Sequence, residues 1–126
     1  DSEGMLIRRV RSGEGGATDA RYGNRIHRDD LSRLIVHCLI RDQRGQSVPP
    51  TLIGADHDTT PTHEVEDWLA TQLDVAIVRQ TSGARARANR RCRSTLLESI
   101  GFTLSYPTWR EGYAAALNTR ATSGQA

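Results

Sequence analysis

Tyr22-Gly-Asn-Arg-Ile-His-Arg-Asp-Asp-Leu31, continuing Ser-Arg-Leu-Ile-Val-His-Cys-Leu39, is the stretch whose reading decides the fold. Leu31, Leu34, Ile35, Cys38 and Leu39 recur at i, i+3, i+4, i+7 and i+8, the stripe of a helix that buries one face. Asp29 or Asp30 is placed to cap it, because a carboxylate there accepts orphan amide protons and meets the positive end of the helix dipole. Ahead of the helix, Asn24-Arg-Ile-His27 sets Ile26 among polar groups, the pattern of a brief strand or extended arm. Tyr22, Asn24, Arg25 and His27 are thereby expected beside a rigid helix start.

Outward from this stretch, composition sets the bounds. A chain of 126 residues, 37% hydrophobic, can form one ordinary domain with a modest core. No run approaches the ~18 apolar residues of a membrane span and no basic-then-apolar leader opens the chain, so the expectation is a cytoplasmic protein without membrane contact. All 17 basic residues are arginine, a bias that GC-rich coding produces, so no step that needs a lysine amine can be performed by these residues. The net charge of +2 is uneven: Arg79, Arg85, Arg87, Arg90, Arg91 and Arg93 fall within residues 79–93 with no acid among them, leaving the remainder at −4. Two cysteines, neither in a CxxC, cannot build a disulfide scaffold. Cys38 lies on the apolar stripe. Cys92 sits among arginines but has no histidine near it in sequence to make it a nucleophile.

The flanking segments read as follows. Met5-Leu-Ile-Arg-Arg-Val10 is a short helix with Leu6 and Val10 inward, and Gly13-Glu-Gly-Gly16 a flexible loop; a phosphate cradle would need a strand before it and a helix directly after. Thr51-Leu-Ile-Gly54 is a short strand. Asp56-His-Asp58 is a polar turn in which the aspartates, His57 and His63 show no metal-ligand spacing. Thr60 with Pro61 opens a helix whose inward face is Val65, Trp68, Leu69 and Leu73. Asp74–Val78 is a further extended piece. Ser94–Ile100 is a helix with Leu96, Leu97 and Ile100 inward, closed by Gly101 in the left-handed conformation and backed by Phe102. Thr108-Trp-Arg-Glu111 forms a capping box for a last helix that carries Trp109, Tyr113, Ala116 and Leu117 on one face. Together these predict a mixed α/β chain, mostly helices with two or three short strands, too little sheet to cover its own helices.

Resemblance extends this reading. Asn24-Arg-Ile-His-Arg-Asp-Asp-Leu31 resembles the Ile-His-x-x-Asp-Leu signature of extended short-chain dehydrogenases/reductases, the superfamily of NAD-dependent epimerases and dehydratases. The strand Thr51–Gly54, the Asp56-His-Asp turn and the Thr-Pro helix with Trp68-Leu69 follow in the family's order. Asn89-Arg-Arg-Cys-Arg-Ser-Thr-Leu-Leu-Glu-Ser-Ile-Gly-Phe102 and Tyr106-Pro-Thr-Trp-Arg-Glu-Gly-Tyr113 are similar to small bacterial members described as nucleoside-diphosphate-sugar epimerase-like. The resemblance spans roughly residues 5–117.

It implies the carboxy-terminal part of an NAD(P)-binding Rossmann-fold protein, with residues 1–120 as the substrate-binding subdomain and 121–126 as a frayed tail. The family's amino-terminal half carries the glycine-rich dinucleotide loop and the Tyr-x-x-x-Lys pair, and neither is present here. NAD or NADP would be bound mainly by that missing Rossmann half, the chain's expected partner beside a small-molecule substrate; a homodimer is compatible with the family. By the same resemblance Arg21, Tyr22, Asn24, Arg25, Arg90 and Arg91 face the substrate, the arginines offering paired donors to a diphosphate. The sequence departs from sugar epimerases at Gly23, where they tend to place an arginine, and at Cys92, near a usual aspartate. The rival reading is a noncatalytic anion- or RNA-binding module that uses the arginine-rich loop 79–93. That loop lacks interleaved aromatics to stack bases.

Overall fold

In the computed structural model, which describes residues 4–18, 22–80 and 90–123 with the side chains of 120–123 excepted, two compact units form, each from two separate lengths of chain. The first comprises Asp1–Gly23 with Thr60–Arg91, the second Asn24–Thr59 with Cys92–Ala126.

In the first unit, α1 (Met5–Arg11) places Arg8, Arg9 and Arg11 in its last turn, where cations oppose the negative end of the dipole. Ile7 and Val10, three residues apart, are buried, and Leu6 is only half-buried, so the inward face is rotated from the Leu6/Val10 expectation. The helix stops at Ser12 and Gly13, whose φ of 84° is the left-handed region glycine enters without cost. The Gly13–Gly16 segment is not a free loop. Glu14–Gly15 is a strand, β1, paired in parallel with β2 (Val78–Arg79) in the register Glu14 to Val78 and Gly15 to Arg79. Helix α3 (Thr62–Leu73) starts one residue later than expected, with Pro61 at the cap position, and ends at Asp74 in the left-handed conformation. Val65 and Leu69 are fully buried as expected, but Trp68 and Leu73 are half-buried.

The residue the pattern missed is Glu66, 1% exposed. A carboxylate taken out of water is tolerable only when fully paired. Glu66 accepts bonds from Arg9 (3.1 Å) on α1, from Arg79 (3.0 Å) on β2 and from the Gly16 N–H (3.0 Å) after β1. Arg79 also donates to the carbonyls of Gly16 and His63 and to the Asp67 carboxylate. One glutamate therefore ties both strands and α1 to α3.

In the second unit, α2 (Arg28–Gln43) is capped by neither aspartate. His27 is the cap, its Nδ1 accepting the Asp29 N–H at 3.1 Å, while Asp29 and Asp30 occupy the first turn. Asp30 is wholly buried. Its Oδ1 accepts the Ser105 N–H (3.0 Å) and Arg33 (2.7 Å), and its Oδ2 the Tyr106 N–H (2.8 Å). The expected stripe divides. Leu34 joins Leu97, Ile100, Phe102 and Leu104 in the core, with Cys38, Ile26 and Leu52 packed against it, while Leu31, Ile35 and Leu39 are 42%, 55% and 60% exposed. The short α4 (Leu96–Ser99) is closed as the sequence predicts by Gly101 at φ 73°, with the Phe102 N–H bonded to Leu97 O. Leu96 points outward, however. Helix α5 (Trp109–Ser123) buries Trp109; residues 124–126 lie outside the described residues. Neither Asn24–His27 nor Thr51–Gly54 forms a regular strand. Ladders need a partner edge, and the Asp56 N–H bonds to Arg25 O at 2.6 Å without extending into one. No helix of the described residues is long and apolar enough to cross a membrane.

Replacing Glu66 by Ala should strand Arg9, Arg79 and the Gly16 amide together, at a cost of about 3–5 kcal/mol in urea unfolding. A loss below about 1 kcal/mol would show that the network contributes little.

Candidate functional site

Of the residues expected to face substrate, Arg21 lies outside the described residues, as do Arg85 and Arg87 of the arginine-rich loop. Tyr22, Arg90 and Arg91 belong to the first unit, Asn24 and Arg25 to the second. The first unit brings two of them together: the Arg91 guanidinium carbon lies 4.8 Å from the centre of the Tyr22 ring, and Tyr22 forms an isolated antiparallel bridge with Pro61. In the second, Asn24 Oδ1 accepts the Cys92 N–H at 2.8 Å. Arg79 is committed to Glu66.

The Ile-His-x-x-Asp-Leu motif proves to be structural in its contacts. His27 caps α2, its ring stacks on Tyr106 with centroids 3.9 Å apart, and a Cβ on Gly112 of α5 would lie 3.3 Å from its Cδ2. Asp30 holds the backbone that leads to Tyr106.

A second constellation, which the sequence reading did not single out, gathers around Arg25. Asp56 is 4% exposed and backbone-bonded to Arg25, with Oδ1 accepting the Asp58 N–H at 3.1 Å. Burial pushes its carboxyl from 3.8 up to about 6, against the opposing pull of the Asp58 amide and the charges of Arg25 and His57. Tyr113 of α5 shares a side-chain hydrogen bond with Arg25, and burial raises its hydroxyl above the usual 10 despite the guanidinium. Asp58 pairs with Arg110 at 3.6 Å, and the His57 N–H donates to Pro107 O at 2.8 Å. A carboxyl that titrates near neutrality beside a guanidinium and a phenol can hold or release a proton and orient a polar ligand. The available signal was Asp56-His-Asp58 itself, three titratable residues following Leu52-Ile-Gly-Ala55, whose last member is buried. Among the described residues no three His, Cys, Asp or Glu side chains group as a metal site.

A dinucleotide does not fit what the described residues offer. The glycine-rich segment is drawn into β1, and the Gly16 amide points at the Glu66 carboxylate, the opposite of a phosphate site. No lysine is available for a Tyr-Lys pair.

No family model and no curated protein matches the chain. It is similar to a solved structure from Methylobacillus flagellatus described as a "putative NAD-dependent epimerase/dehydratase", at 29% identity and a TM-score of 0.72, over 92% of this chain and 42% of that one. The likeness supports the epimerase/dehydratase superfamily for this fold and agrees with an α/β piece that is mostly helical. The chain spans less than half the length of that protein.

Because the folded state holds the Asp56 proton more tightly than the unfolded chain, its contribution to stability is full below about pH 4 and is lost as pH rises through about 6. The interval from 3.8 to about 6 corresponds to at most about 3 kcal/mol. Asp56→Asn should therefore flatten that part of the stability curve and raise stability above about pH 6. Urea midpoints for both proteins across this range check it, and parallel curves would contradict it.

Proposed function

We propose that the chain is the substrate-binding portion of an NAD(P)-dependent oxidoreductase or epimerase that acts on a sugar nucleotide or similar small polar substrate. The likeness to the Methylobacillus flagellatus protein carries this reading, since it takes in nearly all of this chain and less than half of that one. The outer face of α2 supports it. Leu31, Ile35, Val36, Leu39 and Ile40 are exposed together with Ile53, and Leu31, Ile35 and Leu39 border an open groove with Val48 and Leu52. A contiguous apolar face of this kind marks an interaction surface. A nucleotide-binding sheet from the remaining part of the protein is the partner proposed for it, and that part would supply the coenzyme site and the proton-exchanging tyrosine and lysine.

When bound, the nicotinamide coenzyme exchanges a hydride with the substrate. The work assigned to this chain is recognition: Arg21, Arg25, Arg90 and Arg91 for anionic groups, Tyr22 and Asn24 for polar ones. The commitment of Arg79 to Glu66 removes one of the six arginines on which an RNA-binding loop would rely.

The test is to define the coding frame around these residues and titrate the encoded polypeptide with NAD and NADP, following protein fluorescence. A glycine-rich strand-to-helix loop in the adjoining part and saturable binding are expected; a polypeptide that binds neither nucleotide overturns the reading. Ile35→Asp with Leu39→Asp separately tests the α2 face. The pair should cost this chain little, because both sites are exposed, but destabilise the longer polypeptide by about 2–5 kcal/mol per residue.

A further inference from the structure

We propose that His27 is a proton-operated cap: neutral, it closes the start of α2, and charged, it gives up that bond for an ion pair with Asp29, so the entry to the helix loosens as pH falls. The switch lies wholly within the second unit and needs no coenzyme. Its geometry offers one ring nitrogen two partners on one residue. Nδ1 accepts the Asp29 N–H at 3.1 Å and stands 3.9 Å from Asp29 Oδ2. An amide N–H can only donate, so Nδ1 presents a lone pair and the neutral ring carries its proton on Nε2. A proton on Nδ1 occupies that lone pair. The bond to the amide is then lost, and the Asp29 carboxylate, exposed and able to turn, becomes the partner. A first-turn amide of α2 is left to solvent, at the point where the arm bearing Asn24 and Arg25 joins the helix.

The ring cannot escape this exchange by swinging away. It lies on Tyr106 with centroids 3.9 Å apart and planes inclined by 30°, and α5 closes on it at Gly112, where an added Cβ would lie 3.3 Å from Cδ2. Tyr106 is itself held by the bond from its N–H to Asp30 Oδ2. Titration therefore acts on the cap rather than on the place of the ring. The charged and titratable groups around it come from three segments. On α2, Arg28 Nε stands 3.5 Å from Asp29 Oδ1, and Asp30 is bonded to Arg33 and to the Ser105 and Tyr106 amides. The segment before α5 gives the Tyr106 phenol, with His57 tied to the next residue, Pro107. Helix α5 meets the ring at uncharged Gly112, which follows Glu111 and Arg110, the latter paired with Asp58. Asp29 is thus the carboxylate placed to receive a charged ring. The positive end of the helix dipole opposes a cation at this position, and the ion pair with Asp29 offsets that opposition.

The test follows isotope-labelled protein by NMR from about pH 8 to about pH 5, the interval in which histidine changes charge. At the upper end the ring nitrogen shifts of His27 should show Nδ1 unprotonated and Nε2 protonated. On acidification the Asp29 amide proton and carboxyl carbon should move with the midpoint of the His27 ring, and exchange of that amide, corrected for its intrinsic rate, should quicken roughly fivefold. His27→Asn, which caps through an amide oxygen that does not titrate, should hold the Asp29 amide constant throughout. In Asp29→Asn the His27 ring should become charged only at lower pH than in the wild-type protein. A neutral ring protonated on Nδ1 overturns the proposal, as does an Asp29 amide that stays put while His27 titrates. A His27→Asn protein that keeps the wild-type amide shift, or an Asp29→Asn protein whose ring titrates unchanged, overturns it equally.

Discussion

Asp30 has no contact with solvent, and the second unit is built around that fact. A buried carboxylate would cost several kcal/mol if left unpaired, so its two oxygens dictate where three donors must be. Two are consecutive backbone amides of Ser105 and Tyr106 and the third is Arg33, one turn further along α2. The start of α2 is thereby fixed against the segment that leads into α5. Tyr106, so held, stacks on His27, and His27 caps the helix that carries Asp30. Each member supports the next, and the loop from Thr103 to Thr108 has its path set by side-chain chemistry rather than by a sheet. Glu66 plays the same part in the first unit, with Arg9, Arg79 and the Gly16 amide as its donors.

These two acids explain what could and could not be read from residue patterns. Helix α2 was legible because its apolar period is strong, and Gly101 was legible because only the left-handed conformation accounts for a glycine at that spot. Glu66 was not, because periodicity counts apolar residues and a paired acid in the middle of a buried face breaks the count. Its partners after β1 and on β2 come from positions 50 and 13 residues away, a separation over which no local pattern operates. For the same reason Gly13–Gly16 read as a loose loop. Asp29 and Asp30 read as caps on sound electrostatic grounds, but the histidine nitrogen one position before the helix filled that role and left Asp30 for longer-range bonds.

The candidate site divides along the same line. Tyr22, Asn24, Arg25, Arg90 and Arg91 were accessible through resemblance and composition. Asp56 and Tyr113 were not, because 57 positions separate them in the chain and only folding sets both beside Arg25. The α2 stripe was identified correctly as apolar and wrongly as wholly inward. Leu34 and Cys38 serve the core, and Leu31, Ile35 and Leu39 are exposed.

Gly112 sets a limit on how this protein can be hardened. A glycine within a helix is ordinarily an easy target, since alanine there restricts the unfolded chain and favours the helical state by ~1 kcal/mol. In α5 the added methyl would meet the imidazole of His27 at 3.3 Å and crowd it where it rests on Tyr106. What the last helix would gain in propensity, the first turn of α2 stands to lose in capping, so engineering for heat resistance would do better elsewhere.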